Sequence, residues 1–234
     1  GSLRQRPSSR KERYALGKSL RSKVPRSSLG IWEPAPDRHD PVALIERSHQ
    51  GRLEWLIPIR VARMVGSPYG FLRGSAVVMA SDVAALPATG ITPVVCGDAH
   101  LGNFGFYASP EGELVMDLND FDETHPGPFE WDVKRLVASL EVAGRHNGYP
   151  RKQRRAVALG AVRTYRTTIR ELAAMTNLAV WYAHQAIQPG LPGLRAIRSK
   201  ETRRTVRKTL DKAYGRDHLG SLKNLTETVA GRLQ

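Results

Sequence analysis

Residues 97–103 read Gly97-Asp98-Ala99-His100-Leu101-Gly102-Asn103, which sets a carboxylate, Asp98, five positions before a carboxamide, Asn103, in a segment punctuated by two glycines. A further carboxylate, Asp117, follows at the far end of what reads as a hairpin. Phosphoryl transfer needs a carboxylate beside the hydroxyl nucleophile and oxygen ligands for magnesium on the nucleotide phosphates. A loop Asp, an Asn five residues on and an Asp after one hairpin can supply all three. Gly97 and Gly102 would let the loop turn tightly and approach phosphate. Asp98 and Asn103 alone are a weak signal, because loops are rich in Gly, Asp and Asn; the hairpin and Asp117 strengthen it. His100 reads either as a ligand or as a hydrogen-bonded structural histidine. Asp120 and Asp122 could share a metal with Asp117 or cap their own loop. Arg73 is a candidate phosphate contact or a solvated helical arginine. Cys96 reads as a small buried strand residue rather than a nucleophile, and Trp131 and the other aromatics as core.

The charge distribution points to the same stretch. The chain of 234 residues carries a net charge of +14, yet residues 97–132 hold nine Asp or Glu and no Lys or Arg. Clustered carboxylates repel one another unless a cation or solvent relieves them, which hints at a metal. Residues 1–26, by contrast, hold nine Lys or Arg and one acid, Glu12. Residues 195–216 are similarly basic, from Arg195 and Arg198 through Arg203, Arg204 and Arg207 to Arg216. Such ends could contact nucleic acid, anionic lipid or an acidic protein, or be solvated. The single Cys96 excludes an internal disulfide framework and a cysteine-rich zinc site. No apolar run is long enough for a membrane span and no secretory signal is visible, so a cytoplasmic setting is expected. The chain is long enough for a sizeable core, and its ends read as those of a shortened product.

The elements that must position these residues follow from punctuation and periodicity. Residues 1–39, rich in Arg, Ser and Pro, read as a basic arm. Asp40-Pro41 is a helix start, with apolar residues at helical spacing as far as Leu56. Pro58 interrupts that helix or begins another, running to about Met64. A helix over 71–86 and a short strand over 92–96 lead to Gly97. Residues 104–107 and 113–117 are strands joined by the turn Ser109-Pro110-Glu111-Gly112. Residues 118–128 form a loop, and 129–146 an amphipathic helix with Phe129, Val133, Leu136, Val137 and Leu140 on its inner face. A helical pattern resumes after Pro150 and continues to about Gln188. Residues 189–192 are a hinge before a basic, helix-prone segment.

This region is similar to the catalytic loop of aminoglycoside phosphotransferases and other kinase-like enzymes, whose pattern is His-Gly-Asp, four residues, Asn. Cys96 stands where that pattern has its histidine. The resemblance implies that Asp98 is the catalytic base, that Asn103 and the Asp117 of Val115-Met116-Asp117 hold magnesium, and that Asp132, after Gly127 and Trp131, braces the loop. Otherwise Asp132 would pair with Arg135 on the same helix. A closer likeness covers residues 25–147. It is carried by Ile57-Pro58-Ile59-Arg60, Arg63-Met64, Ser67-Pro68, Phe71-Leu72-Arg73-Gly74, the 96–104 segment, Asp117-Leu118-Asn119-Asp120-Phe121-Asp122-Glu123-Thr124 and Pro128-Phe129-Glu130-Trp131-Asp132-Val133-Lys134-Arg135-Leu136. On these residues the chain is identified as a member of the bacterial family catalogued as domain of unknown function 2252.

The resemblance implies an α+β fold, mostly helical. It would be a kinase-like catalytic half with one small hairpin sheet, in three parts: the arm 1–39, a catalytic-loop domain 40–188 and a basic helical extension 189–234. Kinase-like enzymes also need a Gly-rich strand-turn-strand and a lysine on the following strand. Nothing before residue 97 fits, and the resemblance implies that longer members of the family carry a Gly-rich segment and a lysine downstream. The expectation is a magnesium- and ATP-dependent phosphotransferase half-site, inactive alone, with nucleotide and an unspecified phosphate acceptor as partners. One rival is a metal-dependent phosphoesterase, suggested by the Asp98-x-His100 pair. The other is a non-catalytic pseudo-enzyme whose basic ends dock on nucleic acid or an acidic partner.

Overall fold

One helix begins where Asp40 meets Pro41. The Asp40 carboxylate accepts hydrogen bonds from Val42 N and Ala43 N, and proline occupies the first helical position of Pro41–Arg47, where its missing N–H is harmless. In the computed structural model, which describes residues 8–109, 113–183, 200–214, 228–229 and 232–233, nine helices and six short strands follow one another. They are α1 (Arg10–Lys23), α2 (Pro41–Arg47), α3 (Ile57–Val65), α4 (Pro68–Gly74), α5 (Ala76–Ala84), β1 (Val94–Val95), β2 (Phe104–Ala108), β3 (Leu114–Leu118), β4 (His125–Pro126), α6 (Phe129–His146), α7 (Arg151–Leu172), α8 (Asn177–Trp181), α9 (Lys200–Tyr214), β5 (Thr228–Val229) and β6 (Arg232–Leu233). The fold is mostly helical α+β. In place of one small sheet, three antiparallel pairs occur: β1–β4, β2–β3 and β5–β6. No helix among the described residues is long and apolar enough to cross a membrane.

Several helices differ from expectation for local reasons. The basic arm contains α1, started by a reciprocal capping box between Ser9 and Glu12. The pattern after Asp40 ends at Arg47, and Gly51 then turns the chain at φ +79°. Leu53 and Leu56 therefore lie outside α2, and Pro58 begins α3. The stretch 71–86 is two helices that meet at Ser75. The helix after Pro150 stops at Leu172, and Thr176 caps a new one. The turn at 110–112, the hinge at 189–192, Arg195, Arg198 and Arg216 lie outside the described residues.

The chain divides into two compact units, Gly1–Leu101 with Asp120–Thr164, and Gly102–Asn119 with Tyr165–Gln234. The first has a small core of Leu44, Ile45, Met64 and Val78 with Val77 against it, smaller than the chain length allows. Glycines make it tight. A Cβ on Gly70 would stand 2.4 Å from Arg63 O, and one on Gly74 would stand 2.4 Å from Met64 Cγ. Gly70 lets α4 approach the α3 backbone, and Gly74 makes room for the Met64 side chain. The aromatics do not form the core that was expected: Trp131 is half-buried beside the His125 ring, while Trp32, Trp55 and Trp181 are exposed. The second unit contains the β2–β3 hairpin, in register from Phe104 opposite Leu118 to Ala108 opposite Leu114, with α9 packed beside β2.

Gly70→Ala is expected to lower stability by about 1–3 kcal/mol, because its methyl meets a carbonyl that cannot move without disturbing α3. Urea unfolding of the two proteins measures the difference.

Candidate functional site

In the first unit, one helix secures the loop that carries Asp98. The Asp132 carboxylate accepts Cys96 N at 2.8 Å on Oδ2 and Gly97 N at 3.0 Å on Oδ1. Three residues on, Arg135 Nε donates to Asp98 Oδ1 at 2.6 Å, and its Nη2 donates to Leu72 O at 2.5 Å. Four residues further, Ser139 Oγ accepts Leu101 N at 2.8 Å and donates to Leu136 O at 2.7 Å. Positions 132, 135 and 139 lie on one stripe of a helix. Glu130, two residues before Asp132, accepts Thr89 N and Thr89 Oγ1 on Oε1. Of the two readings of Asp132, the partner on its own helix is not taken: Arg135 turns to Asp98.

The apolar face expected of α6 is therefore not its deepest face. Phe129, Val133, Leu136, Val137 and Leu140 are half-buried, whereas Glu130, Arg135 and Ser139 are 3%, 4% and 0% exposed. Buried N–H groups require partners, and an apolar stripe could not supply them. The sequence reading missed Ser139 and the role of Arg135. The recurrence of polar residues at 132, 135 and 139 was the available signal.

The loop itself turns at Gly97, whose φ is +83°. A Cβ there would stand 2.0 Å from Glu123 O, so both conformation and space require glycine. The strand before it pairs Val94 with Pro126 and Val95 with His125, and Gly127 N donates to Pro93 O. Burial raises the Cys96 thiol's pKa, with Asp132, Asp98 and Asp120 adding to the rise. This fits a packed residue and not a thiolate nucleophile. His100 is buried, with Nε2 3.7 Å from Asp98 Oδ2 and Nδ1 lacking a hydrogen-bond partner. Burial lowers its pKa below the ordinary 6.5; Arg135 and Arg73 also lower it, and Asp98 opposes. Arg73 is exposed in the last turn of α4, next to Leu72, whose carbonyl holds Arg135. Asp120 Oδ1 accepts Asp122 N at 3.2 Å, a loop-capping contact.

In the second unit, Gly102 and Asn103 belong to a 3-10 turn, Leu101–Asn103, that leads into the hairpin. Asn103 is buried, and its carbonyl accepts Asn119 N at 2.9 Å, which extends the β2–β3 register by one pair. Asp117 stands opposite Gly105, is exposed, and accepts the N–H of Leu118 on Oδ1 at 2.8 Å. Asn119 lies across Gly105, where a Cβ would stand 2.2 Å from Asn119 Oδ1. The Tyr107 hydroxyl donates to the same oxygen. Asn103 and Asp117 thus occupy the open end of one hairpin, and their carboxamide and carboxylate oxygens are donors that suit magnesium. Among the described residues, no three His, Cys, Asp or Glu side chains gather where they could hold a metal.

The family model described as "Uncharacterized protein conserved in bacteria (DUF2252)" matches residues 52–234. The chain belongs to this family. The match includes the whole 97–132 stretch and α6. No curated protein and no solved structure matches the chain.

Asp132→Asn is expected to destabilise nearly as much as Asp132→Ala, by about 1.5–3 kcal/mol. Both carboxylate oxygens accept N–H groups, so an amide would turn its NH2 against one of them. Urea unfolding, with faster amide exchange at Cys96 and Gly97, tests this. A second expectation concerns pH. His100 is held neutral in the fold, so the stability tied to its burial is complete above about pH 6.5 and is lost as pH falls toward its lowered folded value. Between about pH 7.5 and 5.5 the wild type should lose more stability than His100→Gln. Parallel urea curves for the two proteins would refute it.

Proposed function

We propose that this chain carries the magnesium- and ATP-binding half of a kinase-like phosphotransferase site within its family. The observation that supports this reading is the double hydrogen bond from Cys96 N and Gly97 N to Asp132, because bracing of an Asp-bearing loop by a later aspartate is what the kinase-like resemblance implies. Arg135 adds a second restraint: by holding Oδ1 it limits rotation of the Asp98 carboxylate, and a positioned group is worth far more in catalysis than a mobile one. Asp98, in the first unit, would take the proton of an acceptor hydroxyl as that oxygen bonds to the γ-phosphorus; the bond to the bridging oxygen breaks and ADP leaves with its electron pair. Asn103 and Asp117, in the second unit, would be the protein's ligands to magnesium, which would neutralise charge on the phosphates.

Two donors are few for a site made only of protein. Magnesium, however, usually keeps waters and takes phosphate oxygens beside one or two carboxylates. A two-metal phosphoesterase needs more ligands from the protein itself, and no such cluster exists among the described residues. No Gly-rich segment followed by a strand lysine precedes Gly97 in the sequence, so the proposal is for a half-site that does not transfer phosphate unaided.

In the family's full-length protein, magnesium and ATP together should raise the melting temperature. At a hundredfold excess over Kd the gain is about 2.7 kcal/mol, worth several degrees. Asp117→Asn should abolish the magnesium-dependent part. Asp98→Asn should retain binding, because asparagine keeps an oxygen for Arg135, and stop transfer. Equal melting temperatures with and without both ligands would overturn the reading in favour of a non-catalytic module.

A further inference from the structure

A second chemical feature lies at the other end of α6, within the first unit. The chain leaves α6 through Gly148, at φ +70°, and enters α7 as Arg151-Lys152-Gln153-Arg154-Arg155. The first turn of α7 contains no acidic residue. This sequence opposes two ordinary preferences at once. Cations are unfavourable at the positive end of a helix dipole, and like charges at i,i+3 and i,i+4, here Arg151 with Arg154 and Arg155, repel one another.

The arginines converge on a hollow of about 590 Å³ between α6 and α7, lined by Glu141, Arg145, Arg151, Arg154 and Arg155 over an apolar floor. Glu141 is the one carboxylate there. Its Oε1 accepts Arg145 Nε at 2.8 Å and Arg154 Nε at 3.0 Å, and these partners hold its pKa below the usual carboxylate range. Arg154 is built in: Nη1 donates to Tyr149 O at 2.5 Å, and a Cβ on Gly144 would stand 2.9 Å from its Cγ. Arg151 and Arg155 are exposed, and no ion pair or hydrogen bond with another described residue holds either guanidinium.

We propose that this hollow is a binding site for the phosphate group of a small molecule, distinct from the loop around Asp98. Four guanidiniums face one carboxylate that two of them already share, so the site is short of negative charge. The guanidinium fork matches phosphate oxygens two at a time. The volume lies within the range of about 300–1,000 Å³ common to small-molecule sites. Val137 and Ala158 on the wall give an apolar surface to the remainder of the ligand. A bound dianion would also relieve the charge that α7 carries at its start.

Calorimetric titration of the full chain with inorganic phosphate, glycerol phosphate and a short single-stranded oligonucleotide, at constant ionic strength set by chloride, tests the assignment. Three proteins are compared: wild type, the double variant Arg151→Gln with Arg155→Gln, and a control with the same charge loss on α9, Arg203→Gln with Arg207→Gln. Wild type and control should bind phosphate or glycerol phosphate alike, and the relative affinities tell free phosphate from a phosphomonoester. The Arg151/Arg155 variant should bind at least about tenfold more weakly. Equal weakening in both variants, heat no greater than that of chloride, or binding of the oligonucleotide alone would each overturn the proposal.

Discussion

The backbone N–H groups of a buried loop must find partners, and in this chain one stripe of α6 supplies them. Cys96, Gly97 and Leu101 all donate to side chains of that helix, and Asp98 takes its arginine from the same stripe. Each net bond contributes about 0.5–1.5 kcal/mol, and about 1.5–3 where one partner is charged. Leaving such a group unpaired in the interior is the larger penalty. The consequence is a helix whose most buried side chains are a glutamate, an arginine and a serine, types that are rarely buried without partners. An ion pair in such a place seldom maximises stability, since packed apolar residues often do as well. What Arg135 gains for the protein is a fixed orientation of Asp98 together with a tie to the α4 carbonyl of Leu72.

The loop can approach its supports because of glycine. Gly97 admits Glu123 O to a distance that no Cβ would allow, and Gly105 does the same for Asn119. A substitution at either would therefore act on the loop or hairpin through backbone geometry, even though neither glycine offers any chemistry of its own.

Local signals in the sequence carried most of the elements. Asp40-Pro41 announced α2, two strand-like runs either side of a turn sequence announced the β2–β3 hairpin, and α6 runs over the residues its periodicity indicated. The failures share a cause: the deciding partner lies far away in sequence. β1 is two residues long and exists because it pairs with β4, some thirty positions later. The break at Ser75 accompanies a close approach of α4 to α3, which no pattern within 71–86 records. The polar stripe of α6 was hidden because periodicity weighs apolar residues, while this helix faces a loop in need of acceptors. Within the candidate site, residue type and spacing single out Asp98, Asn103 and Asp117, and the family resemblance singles out Asp132. Ser139 is legible only through the polar recurrence at 132, 135 and 139, because a serine taken alone within a helix has no signature.

The acidic stretch shows how far charge counting reaches. Nine carboxylates without a basic residue over positions 97–132 suggested a shared cation. The fold relieves five of them separately. Asp98 is met by Arg135, from just beyond the stretch, Asp132 by two amide N–H groups, and Glu130 by Thr89. Asp117 and Asp120 accept N–H groups from residues one and two positions on. Backbone amides are effective partners for carboxylates because a charge-assisted hydrogen bond is roughly twice as strong as a neutral one. Acidity along the chain therefore does not translate into acidity at one point in space, and the island as a whole is no argument for a metal. The case for magnesium rests instead on two oxygen donors, Asn103 and Asp117, at the open end of one hairpin. Such a pair would suffice for the proposed magnesium only where phosphate oxygens and water completed the shell.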